Sequence, residues 1–252
     1  MTNDFLFIGH RGTRVEYDEN TIEAFKKAID FGANYIEFDV HPTRDNQIIV
    51  IHDKTLDRTT NGSGLVKDLL YSEISKVKTV KTNKNIPLLS QIFNEFNEPV
   101  NYIIELKELG IENEVINIVK KFNLLERCVI SSRNLNQLKD LREKFSNIRT
   151  CYNITKGIGL TLNEFLSQEV QNLSTHIDFI SLNSSLISEK FIKHCLNYNL
   201  IPLSWDFLKY DDPLLKIKSL IKIGIKGILF DNYRNIKIIK NWLKNEYKLN
   251  LE

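Results

Sequence analysis

An α/β TIM barrel is the fold this sequence predicts, and three observations predict it. Short β-rich runs alternate with amphipathic helical patterns along the chain, the alternation gives eight strand and helix pairs, and 252 residues is the size of such a barrel. Strict alternation implies parallel strands joined by right-handed crossovers, although a doubly wound open sheet would satisfy the same pattern. No Pro-, Gly- or Ser-rich linker suggests a cut, so the expectation is one domain over residues 1–252.

Taken in order, FLFIG at 5–9 is followed by a helical pattern at 21–31, and YIEFDV at 35–40 by a second apolar run, IIVIH, at 48–52. A helix at 88–96 precedes NYIIELK at 101–107, whose own helix falls near 111–123. CVISS at 128–132 pairs with 134–145, RTCYNI at 149–154 with 161–171, and FISLN at 179–183 with 188–198. IPLSW at 201–205 pairs with 212–222, and GILFD at 227–231 with 234–247. One stretch breaks the rhythm. Residues 54–87 are too long for an ordinary connection and read as an insertion after the second strand region, with Lys76, Lys78, Lys81 and Lys84 on a solvated face. Asn20, with Glu23 three residues on, reads as a helix N-cap followed by a capping-box acid.

Composition narrows the class of function. Apolar residues at 42% and charged residues at 26% describe a soluble globular chain, and a formal charge of +2 gives no support for nucleic-acid binding. No apolar run approaches the roughly 18 residues of a membrane span, and residues 5–8 lack a basic flank or a small-residue cleavage site, so stable membrane insertion is not expected and a cytoplasmic location follows by default. Cys128, Cys151 and Cys195 are scattered in apolar contexts and read as core residues. Oligomeric state is left open.

The chemistry is concentrated where the apolar runs end. Side chains alternate along a strand, so Glu37 and Asp39 share one face opposite Ile36, Phe38 and Val40. An antiparallel strand with one wet face would carry the same acids. In NYIIELK the alternation puts Glu105 and Lys107 together, opposite Ile104 and Leu106. In a TIM barrel the active site lies at the C-terminal ends of the strands, which here also carry Gly9-His10-Arg11-Gly12, His52-Asp53, Trp205-Asp206 and Asp231. Three carboxylates without a cysteine suit an oxygen-loving divalent ion, Mg²⁺ or Ca²⁺, rather than zinc. Arg11 and Lys107 suit a phosphoryl anion, and His10 and His52 suit an acid and a base near neutral pH. Together they describe phosphodiester cleavage. His41, His176 and His194 stand apart from the acidic residues and read as structural.

Gly9-His10-Arg11-Gly12, Glu19-Asn20-Thr21, Glu37-Phe38-Asp39-Val40, His52-Asp53, LDRTTNGSG at 56–64 and Glu105-Leu106-Lys107 resemble, in order and spacing, the glycerophosphodiester phosphodiesterase family. The resemblance spans most of the chain. It implies a TIM barrel with an insertion, one divalent metal ion on Glu37, Asp39 and Glu105, and catalytic histidines at His10 and His52. It also implies substrate contacts from Arg11, Lys107, Glu19 and Trp205, and hydrolysis of a small-molecule glycerophosphodiester to sn-glycerol 3-phosphate and an alcohol. By analogy with related barrel phosphodiesterases, His10 is the base and His52 the acid. Three positions depart from the family pattern: Asp18 stands where a proline is usual, Arg133 follows Ser132 where an aromatic is usual, and Trp205-Asp206 replaces Trp-Thr. Two other readings compete with the hydrolase. A related barrel phospholipase acting on lysophospholipids or phosphoinositides would want a membrane-facing apolar rim, and a non-catalytic phosphate-binding barrel would have lost a histidine or a carboxylate.

Overall fold

A computed structural model of the protein describes residues 5–96, 100–157, 159–167 and 175–247. Its strands are β1 (Leu6–His10), β2 (Tyr35–Pro42), β3 (Ile48–Val50), β4 (Asn101–Leu106), β5 (Cys128–Ser132), β6 (Arg149–Ile154), β7 (Phe179–Asn183), β8 (Ile201–Trp205) and β9 (Gly227–Phe230). All but β3 run parallel, in the order β1-β2-β4-β5-β6-β7-β8-β9, and β1 pairs with both β2 and β9. That double pairing closes the barrel and excludes the open sheet.

Each barrel strand puts one face inside and one against the helices. Leu6, Ile8, Ile103, Val129, Cys151, Phe179, Leu203 and Leu229 fill the interior, while Ile36, Phe38, Tyr102, Ile104, Ile180 and Ile228 pack outward. The period of two explains why Glu37, Asp39 and Glu105, in register with interior residues, point into the mouth. The helices follow the expected faces: α1 (Ile22–Asp30), α3 (Leu89–Glu95), α4 (Glu112–Lys121), α5 (Leu135–Lys144), α6 (Leu162–Ser167), α7 (Glu189–Asn197), α8 (Pro213–Lys222) and α9 (Tyr233–Tyr247), with a single turn α2 (Tyr71–Ile74) in the insertion. The last part of the helix expected at 161–171 lies outside the described residues. Among the described residues no helix is long and apolar enough to cross a membrane.

The run at 48–52 differs from a barrel strand. β3 pairs antiparallel with the end of β2, Val40 opposite Val50 and Pro42 opposite Ile48, after a turn in which Thr43 N–H donates to the Gln47 carbonyl. The chain thus climbs out of the barrel on β2 and returns. The strand stops at Val50, and Ile51 N–H donates to the Asp39 carbonyl, which brings His52 back to the level of the acidic residues. The insertion that follows carries its own apolar cluster of Ile49, Ile51, Leu56, Val66, Ile74 and Ile86. It is pinned to the barrel by Asp18, which accepts hydrogen bonds from Lys81 N–H (3.1 Å), Thr82 N–H (2.7 Å) and Thr82 Oγ1 (2.6 Å). Asp18 therefore latches the insertion where the resemblance expected a proline. Of the insertion lysines, Lys84 pairs with Glu23 at 2.8 Å and Lys78 bonds Asn85.

The N-cap expectation is corrected. Thr21 caps α1, its side chain accepting from Ala24 N–H, whereas Asn20 takes a left-handed backbone with φ of 61°. Three free, buried cysteines match the core reading, and burial pushes the Cys128 thiol up to about 12.

Candidate active site

The loop after β1 is shaped by two glycines. A Cβ on Gly9 would lie 2.5 Å from the Ala28 Cβ, and one on Gly12, whose φ is +75°, would lie 2.5 Å from the Ala24 backbone. Without side chains there, α1 packs directly under the loop and Arg11 is turned inward at φ 50°. Arg11 N–H then donates to Glu37 Oε2 at 2.9 Å, and the guanidinium meets Glu19 Oε1 at 2.9 Å and Asp39 Oδ2 at 3.2 Å.

Glu37, Asp39 and Glu105 are buried and offer oxygens that lie within 4.8 Å of one another. Lys107 Nζ stands between two of them, 2.8 Å from Asp39 Oδ1 and 2.5 Å from Glu105 Oε1. Burial and the neighbouring Asp39 charge raise the Glu37 pKa well above the ordinary carboxylate range. Burial would raise Asp39 too, but Lys107 and then Arg11 hold it below that range. Glu105 is also lowered: burial opposes the ionised form, and Lys107 outweighs it. Asn20 Nδ2 donates to Asp39 Oδ2 at 3.0 Å and Asn153 Nδ2 to Glu105 Oε2 at 3.2 Å. An all-oxygen donor set, buried and with Glu37 pressed toward its neutral form by burial and the Asp39 charge, fits a hard divalent cation.

Each candidate histidine leans on a carboxylate. His10 Nδ1 lies 2.7 Å from Asp231 Oδ1; Asp231 also accepts from Arg14 Nη1 at 2.9 Å and Phe207 N–H at 2.7 Å. Burial favours the neutral form of Asp231, yet the charge and hydrogen bond of His10, with the Phe207 amide and Arg14, keep it below the usual carboxylate range. His52 Nδ1 lies 2.6 Å from Asp53 Oδ1, and Arg58 holds Asp53 through Nε at 2.5 Å and Nη2 at 3.0 Å. Burial lowers the His52 pKa. In both cases a ring N–H to a carboxylate leaves Nε2 as the nitrogen open to chemistry.

The structure brings nearly every candidate into one network. Glu19 is its hub, bonded to Arg11 at 2.9 Å and Arg58 at 2.7 Å and 3.7 Å from Arg14; burial would raise its pKa, but Arg11 and Arg58 outweigh it and bring it down to about 2. Its oxygens are thus engaged by arginines. Trp205 lies at the end of β8, packed against the barrel interior, and its indole N–H has no partner among the described residues. His41 is buried, with Nε2 3.1 Å from the His52 carbonyl, and His194 packs on Phe165 and Tyr198, away from the mouth. Sequence reasoning collected Asp231 at a strand end without giving it a role, and passed over Arg58, Asn20 and Asn153 as site members. Asp231 was signalled by an acid at the end of a barrel strand, and Arg58 by its place in the 56–64 motif. Asn153, inside an ordinary strand, gave no signal.

The model of the glycerophosphoryl diester phosphodiesterase family matches residues 10–234. A glycerophosphodiester phosphodiesterase of Caldanaerobacter subterraneus is 31% identical over 239 residues, 90% of this chain and 94% of its own. The crystal structure of a glycerophosphodiester phosphodiesterase from Thermotoga maritima superposes with a TM-score of 0.76 at 25% identity, covering 94% of this chain and 98% of that one. A phosphodiesterase from Oleispira antarctica, solved with the product sn-glycerol-3-phosphate, gives 0.78 at 19% identity over 94% and 96% of the two chains. With the family model running from His10 through the last barrel strand and the relative aligned nearly end to end, the chain belongs to the glycerophosphoryl diester phosphodiesterase family of enzymes.

Proposed function

We propose that this protein, acting as a single domain, hydrolyses glycerophosphodiesters to sn-glycerol 3-phosphate and an alcohol, with a divalent ion on Glu37, Asp39 and Glu105 and with His10 and His52 as the proton-transfer pair. The observation that carries the reading is the meeting, at one barrel mouth, of three buried carboxylates, two carboxylate-bound histidines and the cations Arg11 and Lys107. The glycerol phosphate bound in the Oleispira relative supports the product. The hard donor set favours Mg²⁺ or Ca²⁺, and a bound ion of that kind supplies positive charge to the phosphoryl oxygens.

Arg11 and Lys107 are preorganised by the carboxylates around them and add charge where it develops on the phosphoryl group. His10 Nε2 takes the proton of the attacking oxygen while Asp231 holds Nδ1–H and stabilises the imidazolium. His52 Nε2 delivers a proton to the departing alcohol oxygen, with Asp53 and Arg58 fixing the ring. The attacking oxygen belongs to water or to the substrate's own glycerol hydroxyl. A second reading exchanges the two roles, and one observation favours it: burial lowers the His52 pKa, which favours the neutral ring that a base requires.

The test is release of glycerol 3-phosphate from glycerophosphocholine by the purified protein. Activity should vanish after exhaustive chelation and return with Mg²⁺ or Ca²⁺. Full activity after chelation and dialysis refutes the metal, and no release from any glycerophosphodiester with either ion refutes the function.

A further inference from the structure

Beside the acidic cluster lies a cleft of about 430 Å³, lined by His52, Lys54, Lys107 and Arg133 together with Asp53 and Glu108. Its charges are unevenly matched. Both Asp53 oxygens are taken, by His52 and Arg58, and Glu108 lies 3.6 Å from His41 Nδ1. Lys107 is held between Asp39 and Glu105. Arg133 is anchored by Nε, 3.2 Å from Glu105 Oε1, while its two terminal nitrogens have no partner among the described residues. Lys54 is exposed and its ammonium likewise meets no acid among them. Lys54 therefore faces the cleft without an anion, and Arg133, though held by Glu105 through Nε, presents two terminal nitrogens to it.

The position of the cleft says which end of a substrate would enter it. His52 lines it and His10 does not. Under the reading above, on which this inference rests, His52 serves the departing alcohol. We infer that Arg133 and Lys54 form an anion-binding subsite for the leaving alcohol, so that this enzyme prefers glycerophosphodiesters whose alcohol carries a carboxylate or a second phosphate. A guanidinium with free terminal nitrogens suits either oxyanion, whereas a choline or ethanolamine cation would meet like charge.

Glycerophosphoserine and glycerophosphoethanolamine differ by one carboxylate, which makes them the direct probe. Glycerophosphoglycerol with and without a terminal phosphate is the second pair. Wild-type kcat/KM should favour the anionic member of at least one pair by on the order of tenfold to a hundredfold, the scale of one charge-assisted contact, and which pair responds identifies the anion. Arg133→Gln and the exposed Lys54→Gln should each collapse that ratio toward one, and Lys54→Glu with Arg133→Glu should invert it. Equal activity on both members of both pairs overturns the inference while leaving the phosphodiesterase reading in place. An equal loss on both members in Arg133→Gln also overturns it, since Arg133 would then act on the scissile phosphate. Failure to hydrolyse any of the four, while glycerophosphocholine is cleaved, overturns the subsite alone, and failure on glycerophosphocholine as well removes the proposed function with it.

Discussion

Replacing Asp231 by Asn probes the pairing that joins the two ends of the chain. Asp231 accepts three hydrogen bonds, from His10 Nδ1, Arg14 Nη1 and the Phe207 amide, at 2.7, 2.9 and 2.7 Å. An asparagine keeps one acceptor and turns the other into a donor. If the new NH₂ faces His10 and Arg14, the imidazole must accept at Nδ1 and carry its proton on Nε2, where a base needs a lone pair. If it faces Phe207, two buried donors confront each other at about 1–3 kcal/mol of lost stability. The first arrangement removes the proton-accepting tautomer, and kcat/KM on glycerophosphocholine should fall by on the order of 10² to 10⁴, or about 3–5 kcal/mol of barrel-mouth transition-state stabilisation. Steady-state kinetics beside a thermal melt separates the two effects. A folded Asp231→Asn protein within threefold of wild type would show that His10 works without its carboxylate.

Three further outcomes are expected. With glycerophosphocholine, His10→Ala and His52→Ala should each lose on the order of 10² to 10⁴ in rate; with a glycerol phosphate ester of p-nitrophenol, whose leaving group needs no proton, only the variant lacking the acid should recover. Recovery of His52→Ala supports the first assignment of roles, recovery of His10→Ala the exchanged one, and equal losses on both substrates would discard the division altogether. Lys107→Met, which removes the ammonium lodged between Asp39 and Glu105, should lower kcat/KM by on the order of 10² or more, and an effect below threefold would place Lys107 outside the reaction. Asp18→Ala should lower stability by about 1–3 kcal/mol through loss of the insertion latch. Because the Thr82 and backbone hydrogen bonds overcome burial and lower the Asp18 pKa, that contribution is complete above the ordinary carboxylate value of about 3.9 and is lost as the pH falls through the lower folded value. A wild-type to variant difference in urea midpoint that stays constant from neutral pH to well below that value would contradict the latch.

The sequence by itself determined what depends on short range. A strand's period of two put Glu37 with Asp39 and Glu105 with Lys107 before any fold was known, and the barrel needed only to turn that face inward. The number of parallel strands, the helices between them and the length of the insertion were legible for the same reason, since apolar periodicity records which face each element buries. The tertiary structure decided the rest. An alternating run reads alike whether it pairs parallel or antiparallel, so only the hairpin contact of Val50 with Val40 shows how His52 returns to Asp39. A positive φ at Asn20 moved the helix cap one residue on, to Thr21, and freed the Asn20 amide for Asp39, a choice set by the close packing of the loop on α1. His10 finds Asp231 across 221 residues, and Glu19 gathers Arg11 and Arg58 from opposite sides of the mouth, because closing the barrel brings chain ends together that no local pattern relates.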